Sequence, residues 1–349
     1  MISLRISLIC AHEKCDWRTE LLDPASFLSP RKNIYLSEPA MILNTGSRTD
    51  IPAFFSEWFY NRITEGYVLV RNPYYPRKVT KYLLDPGIVD CINFCTKNPA
   101  PMLPRIHELD GFGQFWYVTI TPYGKEIEPN VPSINQVIDS FQKLSHIVGL
   151  NRIGWRYDPI FLTEKYSLEY HLASFEKMAA ALSGYTDVCV ISFLDLYEKT
   201  RRNFPAGKEV EQKDRLALGK AFCEIGREHG IRIKSCAEGT ELAPFGVDCS
   251  GCLTWEVIER AVGQKLRHDS GSTSTRSSCS CLMNCDIGAY NTCGHGCVYC
   301  YANYDPETVR KNRERHDPLS PFLIGTSRDG DIVTNARQIR LRDGQTALF

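Results

Sequence analysis

The stretch DIGAYNTCGHGCVYC, residues 286–300, decides how the chain is read. Its opening, Asp286–Tyr290, forms a short apolar run of strand character. A glycine-bearing loop follows, with cysteines at 293, 297 and 300. Thiolates hold iron–sulfur clusters, normally one per iron, so the C-x3-C-x2-C spacing of Cys293, Cys297 and Cys300 leaves the fourth iron of a [4Fe–4S] cluster open. Gly294 and Gly296 let the loop fold tightly around such a cluster. A single zinc ion with His295 or another cysteine as fourth ligand is the competing reading of the same residues.

Working outward, cysteine usage points the same way. Nine of the fifteen cysteines fall between Cys236 and Cys300, while Cys10, Cys15, Cys91, Cys95, Cys189 and Cys223 are scattered. Scattered cysteines are commonly small buried hydrophobes; nine in one segment suggest metal or thiol chemistry. Cys236, Cys249, Cys252, Cys279 and Cys281 are candidates for a second site, an auxiliary iron–sulfur cluster or a zinc ion.

Upstream, short β-branched and aromatic runs recur at Met41–Thr45, Tyr67–Val70, Val89–Phe94, Phe115–Thr121, Arg152–Tyr157, Val188–Leu194 and Ile231–Ser235. Helical patterns lie between them. Asp50 is read as the N-cap of one helix. Ser133 with Gln136 makes a capping box for another, and Ser167 opens a third that Gly184 closes. Strands alternating with helices imply parallel βα units. With Asp286–Tyr290 as the eighth strand, the expected fold is α/β, a (β/α)8 TIM-like barrel with its site at the C-terminal ends of the strands. Polar residues collect at those ends, among them Ser47–Asp50, Lys97, Arg156 with Asp158, Asp195 and Glu238.

The loop context resembles that of the radical SAM superfamily, in which an aromatic residue before the third cysteine lies beside the adenine; Tyr299 holds that place here. The blocks Ser47–Phe54, Thr96–Pro99, Arg156–Pro159, Cys236–Glu238, Asp286–Cys293, Tyr299–Asn303 and His316–Pro318 resemble an uncharacterised bacterial family, domain of unknown function 1848. The resemblance spans about residues 41–325. Together these likenesses imply a radical SAM barrel circularly permuted so that the cluster-bearing strand comes last and lies beside Met41–Thr45. They imply that S-adenosylmethionine (SAM) is bound at the open iron and cleaved reductively to a 5′-deoxyadenosyl radical. The electron would come from a low-potential donor such as flavodoxin or ferredoxin. Ser47, Arg48, Thr49 and Lys97 are the expected polar contacts of SAM. Arg156, Asp158, Asp195 and Glu238 are the expected substrate-contact or proton-transfer residues.

Residues 1–40 are expected to be an N-terminal extension or an over-long start, residues 41–304 the barrel, and residues 305–349 a charged helix and a tail. Lys+Arg and Asp+Glu are both 41, so no net field draws the protein to nucleic acid or anionic membrane. A radical SAM enzyme that modifies or repairs nucleic acid therefore has no support from charge. No apolar run reaches the length of a membrane span and no secretory h-region opens the chain, which implies a cytoplasmic protein. The rival from another class is a metal- or cluster-stabilised binding or electron-transfer protein that does not cleave SAM.

Overall fold

The computed structural model describes residues 41–268, 281–282 and 285–342. Cys10, Cys15 and Cys279, together with the 1–40 extension, lie outside the described residues. Seven strands form one parallel sheet: β1 (Ile42–Asn44), β4 (Cys91–Thr96), β5 (Gln114–Thr119), β6 (Ile153–Ile160), β7 (Val188–Phe193), β8 (Arg232–Ser235) and β9 (Cys285–Asp286). Their order is β8-β7-β6-β5-β4-β1-β9. From β1 to β8 the strands are laid down in chain order. The last strand then returns to the free side of the first, pairing Leu43 with Cys285 and Asn44 with Asp286. The expected position of the final strand beside β1 is thus observed, two residues long and beginning one residue earlier than the sequence pattern indicates.

The closed eight-stranded barrel is not. Among the described residues β8 and β9 are the two edges of an open sheet. The expected second strand has left it: β2 (Tyr67–Arg71) pairs antiparallel with β3 (Lys78–Leu83), and β10 (Ile332–Asn335) adds to the outer side of β3. The reason is local. Only six residues separate β2 from β3, too few for the crossover that parallel neighbours require. There the Asn72 side chain accepts hydrogen bonds from the Tyr74 and Tyr75 N–H groups, an Asx turn that reverses the chain.

Period-two alternation gives the large sheet two different faces. Leu43, Ile92, Phe94, Trp116, Val118, Trp155, Tyr157, Ile191 and Ile233 join one core. That core is covered by α2 (Ser56–Glu65), α3 (Ile134–Val148), α4 (Leu168–Leu182) and α6 (Gln212–Glu228). Ser133 makes the expected capping box with Gln136, and Ser167 caps α4 through the Tyr170 N–H. The other face starts apolar, with Ile42, Cys91, Phe115, Tyr117 and Val190 packed under α7 (Trp255–Val262), Leu253, Cys281 and Leu282. Towards the C-terminal ends of the strands the same alternation places Asn93, Cys95, Lys97, Arg156, Asp158, Ser192 and Cys236 on that face. α7 thus covers this second face. No helix among the described residues is long and apolar enough to cross a membrane.

Candidate metal and substrate site

β9 delivers the chain to the top of the sheet, and the loop behind it is tied down on several sides. The Asp286 carboxylate accepts from the Ser47 and Gly288 N–H groups and faces the Arg48 guanidinium at 3.9 Å. The Thr49 and Thr292 hydroxyls meet at 2.8 Å. Asp50 has three tasks: one oxygen caps α1 (Ile51–Phe54) through the Ala53 N–H, and the other accepts from the Lys97 N–H and from His295 Nε2, both at 2.8 Å. The loop carbonyls of Cys293 and Gly294 accept from the side-chain amides of Asn303 and Asn130, and the Val298 N–H bonds to the Ile127 carbonyl. Gly296 has φ of +71°, a conformation that glycine adopts without strain.

These ties turn Cys293, Cys297 and Cys300 into one cleft of about 680 Å³, which Asn130, Arg310 and Arg313 also line. Burial pushes the Cys293 thiol well above its usual range, and the nearby Asp50 and Cys300 add to that. Burial likewise pushes Cys297 up to about 12, against the pull of Lys97. Three sulfurs on one short loop are a donor set that fits a soft metal or an iron–sulfur cluster. One tetrahedral ion with metal–sulfur bonds of about 2.3 Å needs sulfurs about 3.8 Å apart. Among the described residues, only Cys236, Cys252 and Cys281 bring three ligand atoms within 4.8 Å of one another. The three loop sulfurs do not all lie within that 4.8 Å of one another.

The other predicted residues divide into groups. Ser47 and Arg48 hold Asp286, and Thr49 holds Thr292, so these three grip the base of the loop. The Lys97 ammonium donates to Glu128 at 2.9 Å and to the Thr121 hydroxyl at 3.3 Å. Burial works against its charge, but Glu128 and Cys297 outweigh that and raise its pKa. Tyr299 is buried and donates to the same Glu128 carboxylate, with its ring facing Lys97 at 5.8 Å. None of these five residues lines the cysteine cleft.

Arg156 and Asp158 form an ion pair at 2.5 Å, and Ser192 donates to the second Asp158 oxygen. Burial pushes the Asp158 carboxyl up, but Arg156 and Ser192 bring it below its ordinary value. Glu238 accepts from the Phe193 N–H and pairs with Arg215 at 2.8 Å; burial still lifts it to about 7. Asp195 is exposed, and its N–H donates to the Tyr301 hydroxyl.

Of the second cysteine set, Cys236, Cys252 and Cys281 come together, with Cys252 and Cys281 sulfurs 3.1 Å apart. Cys249 does not join them; its thiol donates to the Val247 carbonyl and packs on the helical side. Cys285 is buried there too, and burial pushes its thiol up to about 11.

Sequence reasoning missed Glu128, which accepts from Lys97, Thr121 and Tyr299, and the Asp50–His295 pair. Asp50 was legible only as a cap. Glu128, in a loop with Lys125 and Glu126, looks like any solvated acid.

Residues 42–302 match the profile of the family described as Domain of unknown function (DUF1848). No curated protein matches the chain. Among solved structures, the carboxyl transferase domain of Rhizobium etli pyruvate carboxylase, determined with pyruvate, is similar at 11% identity and a TM-score of 0.26. That likeness covers 60% of this chain and 39% of the other, and it carries no argument about fold or function.

Proposed function

The chain belongs to the family described as Domain of unknown function (DUF1848), and from that premise we propose that it is an iron–sulfur enzyme of the radical SAM type. The observation that carries this reading is the placement of Cys293, Cys297 and Cys300 on one clamped loop behind β9, lining one cleft at the C-terminal end of a parallel sheet. Active sites of such sheets gather at that end. When bound, a [4Fe–4S] cluster with SAM supplies reductive cleavage to a 5′-deoxyadenosyl radical; the protein supplies position and exclusion of water.

The chain's own part is then specific. Asn130 and Asn303 fix the carbonyls of the cysteine loop, and Asp50 fixes its histidine. Arg313 lines the cleft beside the Arg310–Glu314 ion pair and Asp305, and its guanidinium is the cation suited to a carboxylate there. Arg156, Asp158 and Ser192 present a fixed dipole on the sheet's polar face, where a substrate would be oriented. Glu238, lifted to about 7, is the acid best matched to proton transfer near neutral pH.

Anaerobically prepared protein should be brown, bleach in air, and form 5′-deoxyadenosine when given SAM and a strong reductant; Cys297→Ser should abolish both colour and product. A brown protein that never cleaves SAM would instead favour an electron-transfer or structural role. A colourless protein holding only zinc would end the radical reading. One observation favours that metal-stabilised alternative: among the described residues the buried Nδ1 of His295 has no hydrogen-bond partner, while its Nε2 donates to Asp50. A carboxylate–histidine pair of this kind commonly supports a zinc ligand.

A further inference from the structure

The second group of cysteines has its own architecture. Cys236 follows β8 directly, and its N–H continues the sheet pairing by donating to the Ile191 carbonyl. Cys252 lies on the segment that runs alongside β8 in the same direction, where Lys234 and Asp248 form a parallel bridge and the Lys234 ammonium pairs with the Asp248 carboxylate. The Tyr117 hydroxyl, from the middle of the sheet, donates to the Cys252 carbonyl at 2.5 Å. Cys281 is brought alongside by its neighbour, because the Leu282 N–H donates to the Leu253 carbonyl at 2.9 Å. Three separate backbone attachments therefore converge three thiols whose sulfurs all lie within 4.8 Å.

Packing alone does not account for this. Buried cysteines behaving as hydrophobes have no reason to converge by sulfur, and Cys91, Cys189 and Cys223 in the same sheet and helices do not. A tetrahedral ion demands about 3.8 Å between sulfurs; the Cys252–Cys281 separation of 3.1 Å is about 0.7 Å shorter than that, and the 4.8 Å bound on the others about 1 Å longer. Charge agrees as well. Three thiolates around a divalent ion carry one net negative charge, and the Arg156 guanidinium is near enough to Cys252 and Cys236 to interact with both electrostatically.

We propose that Cys236, Cys252 and Cys281 bind one zinc-class divalent ion through three thiolates, their protons passing to solvent on binding. The ion ties the edge of the sheet at β8 to the segment that carries α7, independently of anything bound at the 293–300 loop. Its fourth position is left for a ligand other than these three.

The test uses the full chain with Cys293, Cys297 and Cys300 all changed to serine, so that metal at the loop cannot contribute. This variant should retain about one zinc per chain. Cobalt(II) in its place should give the intense near-ultraviolet thiolate charge-transfer band. X-ray absorption at the zinc edge should count at least three sulfur neighbours. Adding Cys252→Ser or Cys281→Ser should weaken zinc binding at least tenfold. Should the loop variant fail to fold, Cys252→Ser in the otherwise native chain must lower zinc content without removing iron. The proposal is overturned by a folded loop variant without metal, by a sulfur count of two or fewer, or by a Cys252–Cys281 disulfide in the intact mass. Loss of SAM cleavage alone leaves every one of these readouts unchanged, so the two proposals fail separately.

Discussion

His171 is held neutral by burial. Its Nδ1 meets the Tyr157 hydroxyl at 2.8 Å and its Nε2 the Phe161 carbonyl at 2.9 Å, in a fully buried position. With the proton on Nε2, the ring donates to the carbonyl and accepts from the hydroxyl, so both bonds are satisfied. Burial lowers its pKa to about 4. The unfolded chain binds a proton near 6.5, so between about pH 6.5 and 4 the unfolded state gains protons that the folded state refuses. Stability is complete above that window and falls as pH drops through it, by up to about 3 kcal/mol. Urea midpoints from pH 7 to 4.5 should fall more steeply for the native chain than for His171→Gln; parallel slopes would refute this. Asp50 makes a second residue-scale case. Its carboxylate accepts three hydrogen bonds, and in Asp50→Asn an amide N–H must point at one of those donors. A loss of about 1–3 kcal/mol is expected, read from the same midpoints. The cap was legible because Asp before Ile51-Pro52 is a local signal. The Lys97 and His295 partners were not, since they arrive from 47 and 245 residues away.

Elements were legible where their signal is local and ambiguous where it is shared. The capping box of α3 and the cap of α4 depend on residues three apart and were read correctly. β2 was read as a barrel strand because alternation is the same in a hairpin; only the short Asn72-Pro73 connection distinguishes them. β10 carries four exposed residues, and no periodic pattern marks it. A close approach between elements is similarly silent in the sequence. A Cβ on Gly46 would lie 2.3 Å from the Cys95 carbonyl oxygen and 2.5 Å from its Cβ. Because Gly46 follows β1 and Cys95 belongs to β4, Gly46→Ala must push the two strand exits apart. The expected cost is about 1–3 kcal/mol, and Thr45, whose N–H and hydroxyl both donate to the Asn93 carbonyl, sits at the point of separation. Amide hydrogen exchange at Thr45 should rise in this variant; unchanged protection there would show that the strands absorb the methyl group.

At the scale of the molecule, the place of the last strand beside β1 was implied by the resemblance to a permuted barrel and is observed, whereas the expected second strand lies in the other sheet. Closure into a barrel was not legible, since no pattern within a strand reports whether β8 meets β9. Of the part after α8 (Pro306–Arg313), expected to be a tail, the described residues up to Arg342 form a strap. β10 pairs with β3, Gln338 bonds both the N–H and the carbonyl of Leu83, and the Leu341 N–H donates to Asp90 at 2.9 Å. Arg342 donates to the Asp90 carbonyl at 2.5 Å and faces its carboxylate at 3.8 Å. Asp90 is fully buried just before β4, and burial pushes its carboxyl up although Leu341 and Arg342 pull it down. Ending the chain after Ala336 removes both stabilising partners and leaves a buried carboxylate uncompensated. Breaking such a pair from one side costs about 3–5 kcal/mol, so the truncated chain should unfold at much lower urea. Asp90→Asn removes the charge itself. It should cost less than truncation in the full chain, and in the truncated chain it should restore part of what was lost. That non-additivity is the signature of two groups in contact. Strictly additive losses would mean that the removed residues stabilise through other contacts, such as those of Gln338 with Leu83, and that the Asp90 contacts are incidental.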